Sequence, residues 1–143
     1  MKRRLTAREN IGYLGEKRAI DILKKEGYNI ELWLHEESNV GSEPYDVVAR
    51  KNSRIYLIDV KSSTSNKRRL PVHDHSLVDL INTAKKENKT PLILVVKPSS
   101  YSFIDPYDLI SGIKLEGVYL YYCTLRNRKK KDIKDLLKSR AYR

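Results

Sequence analysis

A chain of 143 residues with 40% hydrophobic and 33% charged residues and a formal net charge of +11 has apolar material for one core, and its composition excludes collagen-like, low-complexity and disordered classes. Its single cysteine, Cys123, excludes an internal disulfide and a cysteine-type zinc site, and its longest apolar run, residues 91–96, is strand-sized where a membrane span needs about 18 residues. These bounds predict one domain over residues 1–143, in a reducing cytoplasm and away from membranes.

The basic start, with Lys2, Arg3 and Arg4, runs into polar sequence instead of an apolar leader core. Thr6 and Glu9 have capping-box spacing, and Ile11, Leu14, Ala19, Ile22 and Leu23 share one helical stripe before Gly27. An amphipathic first helix follows from this pattern. Glu16 lies at the margin of its apolar face. Gly12 and Gly15 each cost about 1 kcal/mol of helix propensity relative to Ala, and they leave room for a close approach by a strand or a ligand.

Residues 28–34 read as a strand and residues 36–44 as a polar loop. Residues 46–49 and 54–61, separated by a short turn at Lys51, Asn52 and Ser53, predict a hairpin. His73 and His75 flank Asp74 at a spacing that would put two imidazoles on one side of a strand for a metal, but the setting after Pro71 reads as an ordinary surface loop. Ser76 is placed to cap a helix carrying Leu77, Leu80, Ile81 and Ala84 at core spacing and ending near Asn88. The apolar run 91–96 suits a strand covered on both faces. Residues 101–104, a turn at Asp105 and Pro106, residues 117–124 and a last helix over 132–142 complete the reading. This order predicts an α/β domain with a central mixed β-sheet flanked by helices.

The positive charge is concentrated. Residues 126–143 hold nine Lys or Arg against two Asp, among them Arg126, Arg128, Lys129, Lys130 and Lys131. Residues 1–9 hold four against one, and Lys67, Arg68 and Arg69 form a third basic segment. Such a layout suits a polyanion whose condensed counterions are released on binding, which makes nucleic acid the expected partner. A membrane surface is disfavoured, because the C-terminal run has little apolar face beyond Ile133, Leu136 and Leu137. Alternation puts Tyr119 and Tyr121 on one side of a strand and Tyr122 on the other, for packing in the sheet or at a dimer interface, with stacking on bases as the other use.

In the strand 54–61, Ile55, Leu57, Asp59 and Lys61 share one face, and Tyr56, Ile58 and Val60 share the other. Both faces begin apolar, so an acid and a base at the strand's end sit at the edge of a core, where they cost desolvation. A simple ion pair capping the strand is one explanation. The hairpin offers another, since it brings Asp46 toward Asp59. Two carboxylates that close raise each other's pKa unless a cation lies between them, and a hard divalent ion with oxygen ligands, Mg²⁺ or Mn²⁺, resolves the conflict. Glu16 is the candidate third carboxylate. Lys61 then supplies positive charge beside the ion.

Glu16, Asp46 and the run Asp59-Val60-Lys61 resemble the PD-(D/E)XK nuclease superfamily. Within it the chain is most similar to the small archaeal Holliday-junction resolvases, in size, in its basic N-terminus and in the separations of 30 and 13 residues between the three acids. The resemblance implies a restriction-endonuclease-like fold and Mg²⁺-dependent hydrolysis of DNA phosphodiesters. It further implies metal held by Glu16, Asp46 and Asp59, a water assisted by Lys61, and a homodimer acting on branched DNA. Here the proline stands one position early, in Pro44-Tyr45-Asp46, and the motif acid is Asp59 where those resolvases have Glu. Ser42 and Ser38 are equal candidates for the family's accessory serine. Homing-, restriction- or repair-type endonucleases of the same superfamily, and a DNA-binding module without catalysis, are the alternatives.

Overall fold

A computed structural model describes residues 7–34 and 43–124, with side chains of the first helix from Tyr13 onward. Lys2, Arg3, Arg4, Ser38, Ser42, Arg126, Arg128, Lys129, Lys130, Lys131 and the helix expected over 132–142 lie outside the described residues. Helix α1 (Ala7–Lys25) leads to strands β1 (Asn29–Trp33), β2 (Val47–Lys51), β3 (Arg54–Ser62) and β4 (Arg69–His73). Helix α2 (Asp74–Lys86), strands β5 (Thr90–Val96) and β6 (Tyr101–Ile104), helix α3 (Pro106–Ile110) and strands β7 (Ile113–Glu116) and β8 (Tyr119–Thr124) follow.

Ala19, Ile22 and Leu23 bury the apolar face of α1 as the spacing predicts, and Gly27 ends the helix with φ +91°. Tyr28 N–H bonds to Leu23 O (2.8 Å) and Gly27 N–H to Lys24 O (3.1 Å), a Schellman closure that needs the left-handed residue. Asn88, with φ +56°, closes α2 in the same way. Leu14 departs from the expected stripe and is 54% exposed. The reason is its neighbour: α1 meets β3 through Gly15, where an added Cβ would lie 2.7 Å from Ser62 Cβ. The room at this glycine is therefore taken by a strand.

The main sheet has the order β1-β2-β3-β5-β6, with β3 and β5 parallel and the other pairs antiparallel. The hairpin forms as expected, with Asn52 and Ser53 both at positive φ, which matches the right-handed twist of its strands. Ile58, Leu94 and Val96 face α1, whereas Leu57, Ile93 and Val95 join Leu77, Leu80, Ile81 and Ala84 of α2 in the other core layer.

Three expectations are corrected. A second sheet, β4-β8-β7, packs Val72 and Tyr121 against the α2 layer, so Pro71 and His73 belong to a strand and the mixed sheet is accompanied by a smaller one. The α2 helix begins at Asp74 with His73 as its cap residue, and Ser76 lies inside it. Asp105 and Pro106 start α3 instead of making a turn, with the Asp105 carboxylate accepting Tyr107 N–H at 3.0 Å.

Lys97, just beyond β5, is fully buried between the two sheets. Its ammonium donates to Ser102 Oγ of β6 (3.2 Å) and to the Tyr121 hydroxyl of β8, and it lies 3.8 Å from the centre of the Tyr119 ring. Arg18 of α1 donates to its carbonyl.

Gly15→Ala tests the packing of α1 on β3. The substitution gains about 1 kcal/mol of helix propensity but overpacks Ser62, a change that costs about 1–3 kcal/mol. Its urea midpoint is expected to fall in the wild-type background and to hold or rise in a Ser62→Gly background. Equal effects in both backgrounds would refute this packing.

Candidate active site

The last Cα pair of the hairpin, Val47 with Ile58, is extended by Asp46 N–H donating to Ile58 O at 2.8 Å. Asp46 therefore stands across from Asp59. The Asp46 Oδ2 atom accepts Val60 N–H at 2.8 Å, which fastens this carboxylate to the backbone of β3 beside the second acid. Asp59 is only 8% exposed. Lys61, two residues on and on the same face, places its ammonium 3.2 Å from Asp59 Oδ2 while remaining partly open to solvent.

Burial pushes the Asp59 carboxyl up to about 7, against the pull of the Lys61 charge; the charge of Asp46 and a side-chain hydrogen bond with it raise it further. Glu16 is also pushed up to about 7, by burial first and then by the charge of Asp46, and the Trp33 indole bond opposes this at 3.0 Å. The three acids thus act on one another through Asp46. Among the described residues, however, no three or more His, Cys, Asp or Glu side chains are disposed to hold an ion outright. The oxygen-only donors Asp46 and Asp59 are adjacent and carry compressed like charge, which suits a hard divalent cation, with Glu16 held a step away on Trp33.

Lys67, Arg68 and Arg69 are exposed where the chain runs from β3 to β4, and the Arg69 guanidinium stands 5.7 Å from the Tyr122 ring centre. Tyr119 and Tyr121 turn inward and stack at 6.5 Å. The imidazoles of His73 and His75 stack at 5.7 Å, with His73 Nδ1 2.9 Å from Thr124 Oγ1; they belong to the junction of β4 and α2 and not to the carboxylate site. Two residues have no role in the sequence pattern alone. Trp33 bonds Glu16 across 17 positions, and its being the chain's single tryptophan is the one signal of it in the sequence. Lys97 ends the apolar run of β5 as Asp59 ends that of β3, a comparable signal.

An acid whose pKa is raised on folding binds its proton more tightly in the folded state, so its contribution to stability is present below its unfolded pKa and lost as pH rises through the folded one. For Asp59 and Glu16 that window runs from about 4 to about 7. In chelator, the melting temperature is expected to drop across this interval, and less so in Asp59→Asn. Identical profiles for the two proteins would show that Asp59 carries no such strain.

This sheet, carrying an acid-x-lysine end on a buried strand beside a second acid, defines a restriction-endonuclease-like α/β domain. The family model of the archaeal Holliday junction resolvase (Hjc) matches residues 7–139, and the chain belongs to that family. It is also 40% identical over 58 residues to the UPF0102 protein CPE1705 of Clostridium perfringens strain 13, covering 41% of this chain and 45% of that protein. A UPF0102 protein of C. perfringens strain ATCC 13124 is 41% identical over 58 residues, with the same coverage. The chain thus spans less than half the length of the curated relatives it matches. Among solved structures, Hjc of Archaeoglobus fulgidus, a Holliday junction resolvase from an archaeal hyperthermophile, superimposes with a TM-score of 0.55 at 18% identity. The match covers 68% of this chain and 78% of that one, and it is a likeness of fold.

Proposed function

We propose that this protein is a metal-dependent DNA endonuclease that cuts branched DNA, with the four-way junction as its preferred substrate. The observation that carries the reading is Asp59, buried beside Asp46 and contacted by Lys61 at the end of β3; family membership supports branched DNA as the substrate class. Asp46 and Asp59 would hold Mg²⁺, with Mn²⁺ as a substitute, and Glu16 would complete the set. When bound, the ion supplies Lewis-acid stabilisation of the phosphoryl oxygens and a more acidic water. Asp46, pinned on Val60 N–H, fixes the geometry of the pair. The Lys61 ammonium faces solvent on one side and Asp59 on the other, so it is placed to orient a water and to stabilise charge developing on a phosphate. The exposed segment Lys67 to Arg69, which leads into β4, would supply cations for the backbone of the DNA.

Paired incision of a junction calls for a twofold homodimer. The apolar residues of α2 are not available for it, because Leu77, Leu80, Ile81 and Ala84 are fully buried in their own core, as is Tyr121. Exposed Ile113, Leu115 and Val118 on and beside β7 are the better surface.

Labelled four-way junction, duplex and single-stranded DNA, each incubated with Mg²⁺ and with EDTA, test the reading. Junction cutting is expected only with Mg²⁺. Lys61→Ala should cost about 10²–10³ in rate. Asp59→Asn should abolish cutting while junction binding stays equal or tightens, since the substitution removes a negative charge from the phosphate's path. Tight binding of DNA without cleavage of any substrate would leave a binding module. Replacing Lys67 and Arg68 by Ala should weaken binding to all shapes and flatten the salt dependence by about 0.9 for each phosphate that is no longer neutralised.

A further inference from the structure

Trp33, the single tryptophan of the chain, closes β1, where it pairs with Val47, the residue after Asp46. Its indole N–H donates to Glu16 Oε1 at 3.0 Å. Its ring lies parallel to that of Tyr13, with 8° between planes and 5.8 Å between centres. Tyr13 and Glu16 are three residues apart on α1 and so share a helix face. One side chain of that face therefore sets the plane of the indole, and the other receives its proton donor.

The indole nitrogen donates and never accepts, so it engages a single carboxylate oxygen and leaves the other free. Without it Glu16, a long side chain repelled by Asp46, has no described hydrogen bond to fix its rotamer. Metal-binding carboxylates are oriented in this manner by donors behind them, and losing such a donor typically weakens metal binding about 10- to 100-fold.

We propose that Trp33 is a positioning residue for metal capture: it holds Glu16 by one oxygen at the edge of the Asp46–Asp59 pair, from where the other oxygen would be drawn onto a divalent ion bound there. The inference rests on the nuclease reading above. Tyr13 acts through Trp33 by keeping the indole in plane.

The test is calorimetric titration of the full chain with Mn²⁺ alone, without DNA, for wild type, Trp33→Phe, Glu16→Gln and the double variant. Trp33→Phe keeps an aromatic ring to stack on Tyr13 while removing the donor together with part of the indole's volume, and far-ultraviolet circular dichroism checks that each variant is folded. Trp33→Phe is expected to bind Mn²⁺ about 10-fold or more weakly, and the double variant no more weakly than Glu16→Gln. In junction cleavage, Trp33→Phe should need more metal for half-maximal rate yet recover its rate at saturation. Titration of the wild type with Mg²⁺ should change the emission of its one tryptophan, and Glu16→Gln should lose that response. Equal Mn²⁺ affinity in Trp33→Phe and a metal-binding wild type would overturn the role of Trp33 alone, as would additive losses in the double variant. A folded wild type that binds no divalent ion would overturn the nuclease reading along with it.

Discussion

Two carboxylates held side by side at the end of a buried strand impose the constraint around which the rest of the domain is arranged. Asp59 gives up most of its exposure to water, and Asp46 adds like charge at hydrogen-bond range. Neither would remain there on a free loop. Asp59 is set by the register of β3 against β2 on one side and β5 on the other, and Asp46 by its bonds to Ile58 and Val60. Lys61 offsets part of the charge from the same strand face, and α1 brings Glu16 over the open end through its tight seat on Ser62. A chain of formal charge +11 thus carries a small acidic centre, the polarity expected of a site that must attract a polyanion and still hold a cation.

Much of this is legible in the sequence because it depends on local periodicity. Alternation along residues 54–61 and a short turn at Lys51 to Ser53 decide the hairpin, and the hairpin alone decides that Asp46 and Asp59 meet. The spacing of Leu77, Leu80, Ile81 and Ala84 likewise predicts a helix whose four residues prove wholly buried. What stays hidden depends on partners far along the chain. Strand β4 is a strand because β8, some fifty residues later, pairs with it, and Pro71 disguises its alternation. Leu14 falls outside the core because the helical stripe assumes that α1 rests on its large side chains, whereas it rests on Gly15. Asp105 and Pro106 supply a cap residue and an N1 proline, but the five-residue helix they begin is too short to show a stripe. The role of Trp33 is hidden because an indole at the end of a strand reads as packing until its bond to Glu16 is seen.

The buried ammonium of Lys97 bears on how the domain opens. It is held by a hydroxyl of β6 in the large sheet and a hydroxyl of β8 in the small one, under an aromatic lid from β8. Were the small sheet to detach by itself, the Lys97 ammonium would exchange its hydrogen bond to Tyr121 and its contact with the Tyr119 ring for water, and the buried side chains of Val72 and Tyr121 would be exposed. Partial unfolding by loss of β4, β7 and β8 is therefore penalised, and the two sheets are tied into one cooperative unit of amide exchange. Because β5 runs in register with the end of β3, protection of the strand bearing Asp59 and Lys61 extends through this knot to the small sheet.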